Sequence, residues 1–237
     1  MGLVGKQIRG IPMGTNCGPL LANLYLYAYE SSFIDRLQSL SELGKETARS
    51  FHMTFRLIDD VFSVGNPVIH QYIHQPARRE NDGKEGVGGL YPHELQLNDT
   101  NVSDTEVHFL GMTISNLDGS LELDIFDKKK AFPFRVIRYP HMDSVIPTSI
   151  PYGVWTGLLY RRYRICTKPE VFVTRAVELA ITLAHKGCSV RRLIRLFRDF
   201  LQRQRPLRYR STLSDLMRQF RTDLGSSLEP GSSRDFL

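Results

Sequence analysis

The hydrophobic pattern of the chain changes about two-thirds of the way along its length. Before that point, short apolar runs over 55–58, 61–64, 105–115 and 120–126 are bounded by turn residues and predict β-strands. A longer stretch, 19–37, has the length of a helix and is apolar over most of its surface. A helix that is apolar all round is predicted to be buried.

The last third of the chain has the spacing of amphipathic helices. Apolar residues recur every three to four positions over 154–166, 168–187, 189–204 and 213–224. The final stretch, 225–237, is small and polar and predicts a disordered tail. Strands followed by helices predict the α+β fold class.

Charge divides the chain at nearly the same place. The net charge is +6, but residues 1–149 contain 14 Lys and Arg against 18 Asp and Glu, whereas residues 150–224 contain 16 against 5. A strongly basic helical region favours a polyanion partner such as nucleic acid. The alternative interpretation is an Arg-rich helical surface that is simply solvated.

Membrane spans and cysteine-based sites are not supported by the sequence. No run of about eighteen apolar residues occurs, and the N-terminus has no long apolar signal-peptide core. The three cysteines, Cys17, Cys166 and Cys188, are far apart and predict buried thiols rather than a zinc site or a disulfide framework.

The most unusual local pattern is a pair of adjacent aspartates, Asp59 and Asp60, between two apolar runs. Adjacent carboxylates repel each other, and neither is stable in an apolar core. A two-residue hairpin tip formed by the pair would point both carboxylates out of the sheet while the arms stay buried. There they could hold Mg²⁺ against phosphate oxygens. Taken alone, the dipeptide is weak evidence for such a site, because turn-forming and helix-capping Asp-Asp pairs far outnumber catalytic ones.

Four segments in order resemble a known enzyme family. They are QIRGIPMGTNCGPLLANLYLYAYE, FRLIDDVFSV, LYPHELQLNDT with HFLGMTI, and IPYGVWTGLLYRRYRIC. Together they are similar to the reverse transcriptases of Penelope-like retroelements, which are relatives of telomerase. The resemblance implies a partial polymerase palm over 1–136, with an antiparallel sheet and a packed helix. It also implies an all-α, basic thumb bundle over 137–224, before the tail at 225–237.

The resemblance implies roles for individual residues. Asp59 and Asp60 would be catalytic, metal-binding residues, with Asp59 as a direct ligand. A loop beneath the templating base pair would be shaped by Gly10, Pro12, Met13 and Gly14. The primer grip would comprise Phe109, Leu110 and Gly111. Contacts to the nucleic-acid backbone are expected from Arg161, Arg162, Arg164, Arg191, Arg192, Arg195 and Arg198.

The activity implied by the resemblance is RNA-directed DNA polymerisation. Two Mg²⁺ ions would assist the addition of deoxynucleotides to a DNA primer on an RNA template. The partner would be an RNA–DNA hybrid, recognised by shape rather than by base edges, and no membrane or other small-molecule substrate is implied. Such enzymes act on chromosomal DNA, which favours the nucleus, although no localisation signal stands out.

Departures from the family pattern predict that the isolated chain is inactive. Leu57 stands where the family commonly has Tyr, and 83–89 looks like an insertion. The family's catalytic set includes a further aspartate on a strand upstream of Gly10, and neither that strand nor the fingers has a counterpart here. The alternatives are a non-catalytic nucleic-acid-binding remnant of a retroelement and a fragment without a stable fold.

Overall fold

The α+β fold class is confirmed by the computed structural model of the chain. Among the residues it describes, the chain forms seven α-helices and two small antiparallel sheets. It divides into two compact units, Met1–Asp99 and Thr100–Leu237. None of the described helices is both long and apolar enough to cross a lipid bilayer. The described residues are 10, 14–77, 86–101, 103–134, 136, 138–204 and 208–228.

The first unit combines two consecutive helices with a small hairpin. Helix α1 (Gly18–Leu40) leads directly into α2 (Glu42–Ser50). Strands β1 (Thr54–Leu57) and β2 (Asp60–Ser63) follow and pair antiparallel, and α3 (Ile69–Ile73) comes next. The apolar runs flanking the aspartates therefore form a hairpin, as their pattern predicts.

The turn between α1 and α2 depends on two small residues. The hydroxyl of Ser41 accepts a hydrogen bond from the Gly44 amide and so caps the start of α2. At Gly44 the two helices come so close that a Cβ would overlap the carbonyl oxygen of Leu37. Glycine is required here by the close approach of the two helices.

The core of the first unit is small and aromatic. The ring of Phe33 meets those of Phe51 and Tyr72 edge-on, with centroids 5.2 Å apart in both pairs. Leu37 and Leu90 are also buried in this cluster. The core therefore lies against the C-terminal half of α1.

The helix predicted over 19–37 is confirmed, but its predicted burial is wrong. In its C-terminal half Phe33 and Leu37 are buried, whereas Leu20 and Leu24 in the N-terminal half are 61% and 55% exposed. Among the described residues of that half, the small core is contacted by Leu26, which is only partly buried. An apolar sequence favours burial, but it does not supply the surface that would cover it.

The second unit begins with a three-stranded meander. Strands β3 (Glu106–Phe109), β4 (Met112–Leu117) and β5 (Ser120–Ile125) pair in sequence order. Both connections are two-residue turns with positive φ at each residue, Leu110-Gly111 and Asp118-Gly119. Positive φ at both positions matches the twist of the flanking strands.

One of these two turns agrees with the sequence prediction and the other does not. Asp118-Gly119 confirms the hairpin that an Asp-Gly pair predicts. The prediction of a single strand over 105–115 is wrong, because Leu110 takes a φ of 51° and turns the chain. A bulky residue rarely adopts this conformation, and so its local sequence did not indicate a turn.

The second unit continues with the four helices that the apolar spacing predicts. After a 3₁₀ turn at Lys128–Ala131 they are α4 (Ser149–Ile165), α5 (Pro169–Ala184), α6 (Val190–Arg203) and α7 (Leu213–Leu228). They enclose a core whose largest fully buried side chains are Trp155, Leu159, Phe172, Leu183, Leu193, Phe197, Phe200, Leu201, Leu216 and Phe220.

The meander is tied to these helices by polar contacts. Arg175 of α5 donates to both carboxylate oxygens of Asp124 in β5, with an Nη2–Oδ2 distance of 2.5 Å. The hydroxyl of Thr167 accepts a hydrogen bond from the amide of Leu123. By its contacts the meander thus belongs to the helical unit, whereas the palm–thumb boundary after residue 136 stays a prediction.

The C-terminal tail is only partly as predicted. Helix α7 extends to Leu228, so the first four residues of the predicted disordered tail, 225–228, are helical. The remainder of that segment, 229–237, lies outside the described residues. The small residues at 225–227 continue the helix because Leu224 is buried in the core and anchors its last turns.

Candidate metal-binding hairpin and basic cleft

The turn that carries the aspartate pair differs by one residue from its prediction. Leu57 pairs with Asp60 across the hairpin, so the two turn residues are Ile58 and Asp59, and Asp60 is the first residue of β2. Ile58 takes a φ of 56°. Because a β-branched residue is strained at positive φ, this turn is held by interactions elsewhere in the fold.

Both carboxylates face solvent, as predicted, but the arms of the hairpin are not buried. Asp59 and Asp60 are exposed, and within the described part of the chain neither side chain forms a hydrogen bond or an ion pair. Phe55 and Leu57 are 48% and 46% exposed. The prediction of buried arms is wrong because, among the described residues, this sheet has two strands and its outer face is uncovered.

The inner face of β1 carries an arginine at a position where alternation would place an apolar residue. The Arg56 side chain is 11% exposed and pairs with Glu30 of α1, at 2.5 Å from Nε to Oε1. Its two terminal nitrogens donate to the side-chain oxygen of Asn23 at 2.7 Å and to the Asn23 carbonyl at 3.2 Å. The hydrogen bond to Glu30 raises the pKa of Arg56.

Glu30 is itself held from a second direction. The hydroxyl of Tyr91 donates to Oε1 of Glu30 at 2.8 Å. Burial raises the pKa of Tyr91, and the neighbouring carboxylate adds to this effect. Residues on α1, β1 and the segment containing Tyr91 thus share one polar network behind the aspartate turn.

The residues expected in a template-side loop are only partly described. Gly10 and Gly14 both adopt positive φ, 82° and 86°. A Cβ at Gly14 would meet nothing within 4 Å, so glycine is favoured there by backbone conformation rather than by a close contact. Pro12 and Met13 lie outside the described residues.

The residues expected at a primer grip lie together at the β3–β4 turn. Phe109 is the last residue of β3, and Leu110 and Gly111 form the turn itself. A Cβ at Gly111 would lie 2.5 Å from Nη2 of Arg161, one of the arginines predicted to contact nucleic acid. The structure therefore brings Arg161 of α4 against this turn, which places two separately predicted groups at one surface.

Three of the predicted arginines line a single basic cleft. Arg191, Arg195 and Arg198 of α6 surround a cavity of about 220 Å³ together with Ile194 and with Arg221 of α7. The described residues that line it include no carboxylate, and Arg198 Nε lies 3.6 Å from Oδ1 of the adjacent Asp199. The cleft is therefore a concentration of positive charge with little internal compensation.

Arg221 was not among the residues predicted from sequence. The three α6 arginines are spaced by four and three residues, which places them on one helix face and could be read from the sequence. Arg221 is more than twenty residues further along the chain, and only the packing of α7 beside α6 brings it to the cleft. No local pattern indicates it.

The other predicted arginines have different surroundings. Arg162 is half-buried, its Nε has no hydrogen-bond partner among the described residues, and burial lowers its pKa. The guanidinium of Arg192 lies 3.9 Å from the ring centroid of Tyr152, a cation–π contact. Arg164 is exposed near the end of α4. None of these three lines the cleft, and Arg162 is poorly placed to reach a phosphate.

The carboxylate pair fits one cation better than two. Mg²⁺ in proteins is often held by one or two carboxylates and keeps several of its waters. Asp59 and Asp60 could supply these carboxylates. Within the described residues, however, no group of three or more His, Cys, Asp or Glu side chains is arranged to hold a metal ion. A two-ion site would need a further shared ligand.

The cysteines do not add a reactive site. All three are free, and Cys166 and Cys188 are buried, as predicted. Burial raises the pKa of Cys166 to about 12, which keeps its thiol protonated. Cys17 is exposed before α1, contrary to its prediction.

Comparison with known proteins leaves the hairpin and the cleft as the basis for inferring function. The chain matches no protein-family model, no curated protein and no solved structure. What it does is therefore inferred from the chemistry of these two sites together with the sequence resemblance.

Proposed function

We propose that this chain is part of a retroelement reverse transcriptase, an RNA-directed DNA polymerase, with Asp59 and Asp60 in its metal-binding catalytic set. The observation that carries the proposal is the aspartate hairpin. A strained residue, Ile58, turns the chain so that two adjacent carboxylates face solvent while their strand is tied to α1. Ordinary surface turns do not need such strain. Residues with a strained backbone are found more often at functional sites.

The exposed pair suits phosphoryl-transfer chemistry. When bound, Mg²⁺ would offset the repulsion between Asp59 and Asp60 and stabilise negative charge on phosphate oxygens. The two side chains would orient the cation, since both carboxylates are exposed at the turn. Among the described residues no third His, Cys, Asp or Glu side chain joins the pair, so the chain alone is expected to hold a cation loosely. The departures from the family pattern in the sequence carry the expectation that it lacks polymerase activity.

The basic cleft supports a nucleic-acid partner. Four arginines converge on a space of about 220 Å³, and arginine pairs with phosphate through two parallel hydrogen bonds. Contacts of this kind are independent of sequence and weaken as salt is added. An RNA–DNA hybrid, the product of reverse transcription, offers closely spaced phosphates of suitable geometry.

A second candidate function is nucleic-acid binding without catalysis. The observation that favours it is that the basic cleft is more complete than the aspartate hairpin. The cleft is assembled within one unit of this chain, whereas the hairpin supplies two carboxylates and no third. Under this alternative the aspartates are retained from an ancestral polymerase and no longer act.

A metal titration followed by NMR tests the first candidate. Millimolar Mn²⁺ should broaden the amide signals of residues 57–61 in the full chain, and Asp59→Asn should abolish the broadening. Asp35→Asn, at an exposed position of α1, is the matched control and should leave it unchanged. If the wild-type signals stay sharp, the proposed role of the aspartates is wrong.

Binding and extension assays separate the two candidates. The chain should bind a fluorescent RNA–DNA hybrid less tightly as salt rises, and Arg195→Gln should weaken binding more than Arg49→Gln, a change at an exposed position of α2. No primer extension is expected in Mg²⁺ and deoxynucleotides. Extension that Asp59→Asn abolishes would show that the isolated chain is an active polymerase.

A further inference from the structure

The structure assigns to Arg56 the role of a positioning residue that ties the aspartate turn to helix α1. The inference rests on the proposed function of Asp59 and Asp60 as metal ligands. It concerns how their backbone is held in place, since neither aspartate side chain has a partner among the described residues that could hold it.

One guanidinium bridges the helix and the turn. Nη1 of Arg56 donates to the Asn23 side chain of α1 at 2.7 Å and makes a longer contact, 3.4 Å, with the carbonyl oxygen of Ile58. Nε and Nη2 pair with the two oxygens of Glu30, at 2.5 and 3.2 Å. Because the guanidinium is planar and rigid, fixing it on α1 also fixes where the Ile58 carbonyl can lie.

The Ile58 carbonyl belongs to the peptide that leads into Asp59. Ile58 is the strained residue of the turn, with a φ of 56°. A donor aimed at its carbonyl favours this peptide orientation over the unstrained alternatives. The contact therefore acts at the point in the chain where the direction of the following carboxylates is set.

Among the described residues, little else holds the turn end of the hairpin. It has two strands of four residues, and an isolated two-stranded hairpin is marginally stable in water. Phe55 and Leu57 on its outer face are about half exposed. Val61 packs on the small core, and the hydroxyls of Thr54 and Ser63 meet at 2.7 Å, but at the end of the hairpin away from the turn.

The carboxylate of Glu30 is held by a second hydrogen bond besides those from Arg56. Tyr91, which is 4% exposed, donates to the same oxygen, Oε1, that accepts from Arg56 Nε. This second partner holds the carboxylate in the orientation in which Arg56 meets it. Removing the charge of Glu30 should therefore loosen the turn as well, although Glu30 lies on α1 and makes no contact with either aspartate.

The matched substitutions are Arg56→Lys and Arg49→Lys in the full chain. Lysine at position 56 keeps the charge beside Glu30 but has one nitrogen in place of the rigid fork that contacts Glu30, Asn23 and Ile58. Amide hydrogen exchange at residues 57–61 should rise about tenfold in Arg56→Lys, with core amides of α1 and α2 unchanged. The affinity of the aspartates for Mn²⁺, followed by NMR broadening, should fall about tenfold or more. Arg49→Lys should change neither.

The two readouts distinguish failure of this inference from failure of the proposed function. If hydrogen exchange at the turn and Mn²⁺ affinity both match wild type in folded Arg56→Lys, the positioning role is wrong. If exchange rises but wild type itself shows no Mn²⁺ broadening, Arg56 does hold the turn and the metal-binding role of the aspartates fails. A rise in exchange with unchanged Mn²⁺ affinity would also overturn the positioning role.

A milder variant covers the case in which Arg56→Lys unfolds the first unit. Asn23→Ala removes one acceptor on α1 and leaves the Arg56–Glu30 pair intact. It should raise exchange at the turn and weaken Mn²⁺ binding by less than Arg56→Lys would. Wild-type behaviour of both readouts in a folded Asn23→Ala chain would contradict the inference.

Discussion

The two units of the chain are stabilised in different ways. In the second unit, α4 to α7 enclose a core of large aromatic and aliphatic side chains, including Trp155 and Phe197, both fully buried. In the first unit the core is small, and the N-terminal half of α1 exposes leucines such as Leu20. The hairpin there depends on a network of charged and polar groups around Arg56.

The difference teaches where each candidate site obtains its rigidity. The basic cleft lies on two helices whose opposite faces are locked into a large core, so apolar packing fixes its backbone. Among the described residues, one face of the sheet that carries the aspartate turn is uncovered, and hydrogen bonds around Arg56 hold the turn. Mutations should therefore damage the two sites by different routes.

The largest expected effect is at the centre of the helical core. Phe197 is fully buried and stacks on Phe220 with ring centroids 4.1 Å apart. Phe197→Ala should lower the free energy of unfolding of the second unit by about 3–5 kcal/mol. Urea denaturation followed by fluorescence of Trp155, the single tryptophan, measures this directly. Phe134→Ala, at a position 65% exposed, is the control; an equal loss would contradict the core assignment.

A glycine pair tests how closely each unit is packed. Gly44→Ala places a Cβ against the Leu37 carbonyl and should destabilise the first unit by about 1–3 kcal/mol. Gly157→Ala meets no atom within 4 Å in α4 and should stabilise the second unit by about 0.5–1 kcal/mol. Thermal unfolding of both variants, followed by NMR signals from each unit, shows whether each substitution stabilises or destabilises its unit. If both substitutions change stability in the same direction, the predicted difference in packing around Gly44 and Gly157 is wrong.

The ion pair between Asp124 of the meander and Arg175 of α5 predicts that the second unit loses stability in acid. Burial alone would raise the pKa of Asp124, but hydrogen bonds from Arg175 and the Ile125 amide outweigh it, and the pKa is lowered from its ordinary value of 3.8. The stabilisation is therefore complete above pH 3.8 and is lost as pH falls through the lowered value.

Denaturation of the second unit at pH 7 and at pH 3 measures this contribution. Asp124→Asn should lower stability at pH 7 and make the difference between the two pH values smaller. Asp104→Asn, at an exposed position of the same unit, should leave that difference unchanged. An unchanged pH dependence in Asp124→Asn would show that the meander is held by packing alone.

The smallest effect is expected on the exposed half of α1. Leu20 is 61% exposed, so Leu20→Gln should change the free energy of unfolding by less than about 0.5 kcal/mol. Leu37→Gln, in the buried half of the same helix, should be strongly destabilising because Leu37 is 2% exposed. A large loss for Leu20→Gln would show that this surface is covered, for example by a second copy of the chain.

Much of the second unit could be predicted from the sequence, and less of the first. The helices of the second unit repeat their apolar residues at helical spacing over three or more turns, and a large core agrees with that pattern. Asp118-Gly119 is a turn by its own chemistry. Leu110 and Ile58 turn the chain against their local preference, which no sequence pattern indicates.

The candidate sites divide in the same way. The exposure of Asp59 and Asp60 follows from charge, because adjacent carboxylates are too costly to bury. The positions of the two turn residues do not follow from charge, since they depend on the pairing of Leu57 with Asp60 across the hairpin. Arg191, Arg195 and Arg198 share a face by helical spacing, whereas Arg221 joins them through packing.

By itself the sequence determined the α+β class, the four C-terminal helices, the concentration of positive charge on them and the solvent exposure of the aspartate pair. These properties follow from residues close together in the chain, through periodicity, turn chemistry and the cost of burying charge. Only the tertiary structure decided which half of α1 is buried, that Arg56 meets Glu30 and Asn23, and that Arg221 completes the cleft. Those outcomes depend on contacts between residues that belong to different elements and lie far apart in the chain, which local preferences do not encode.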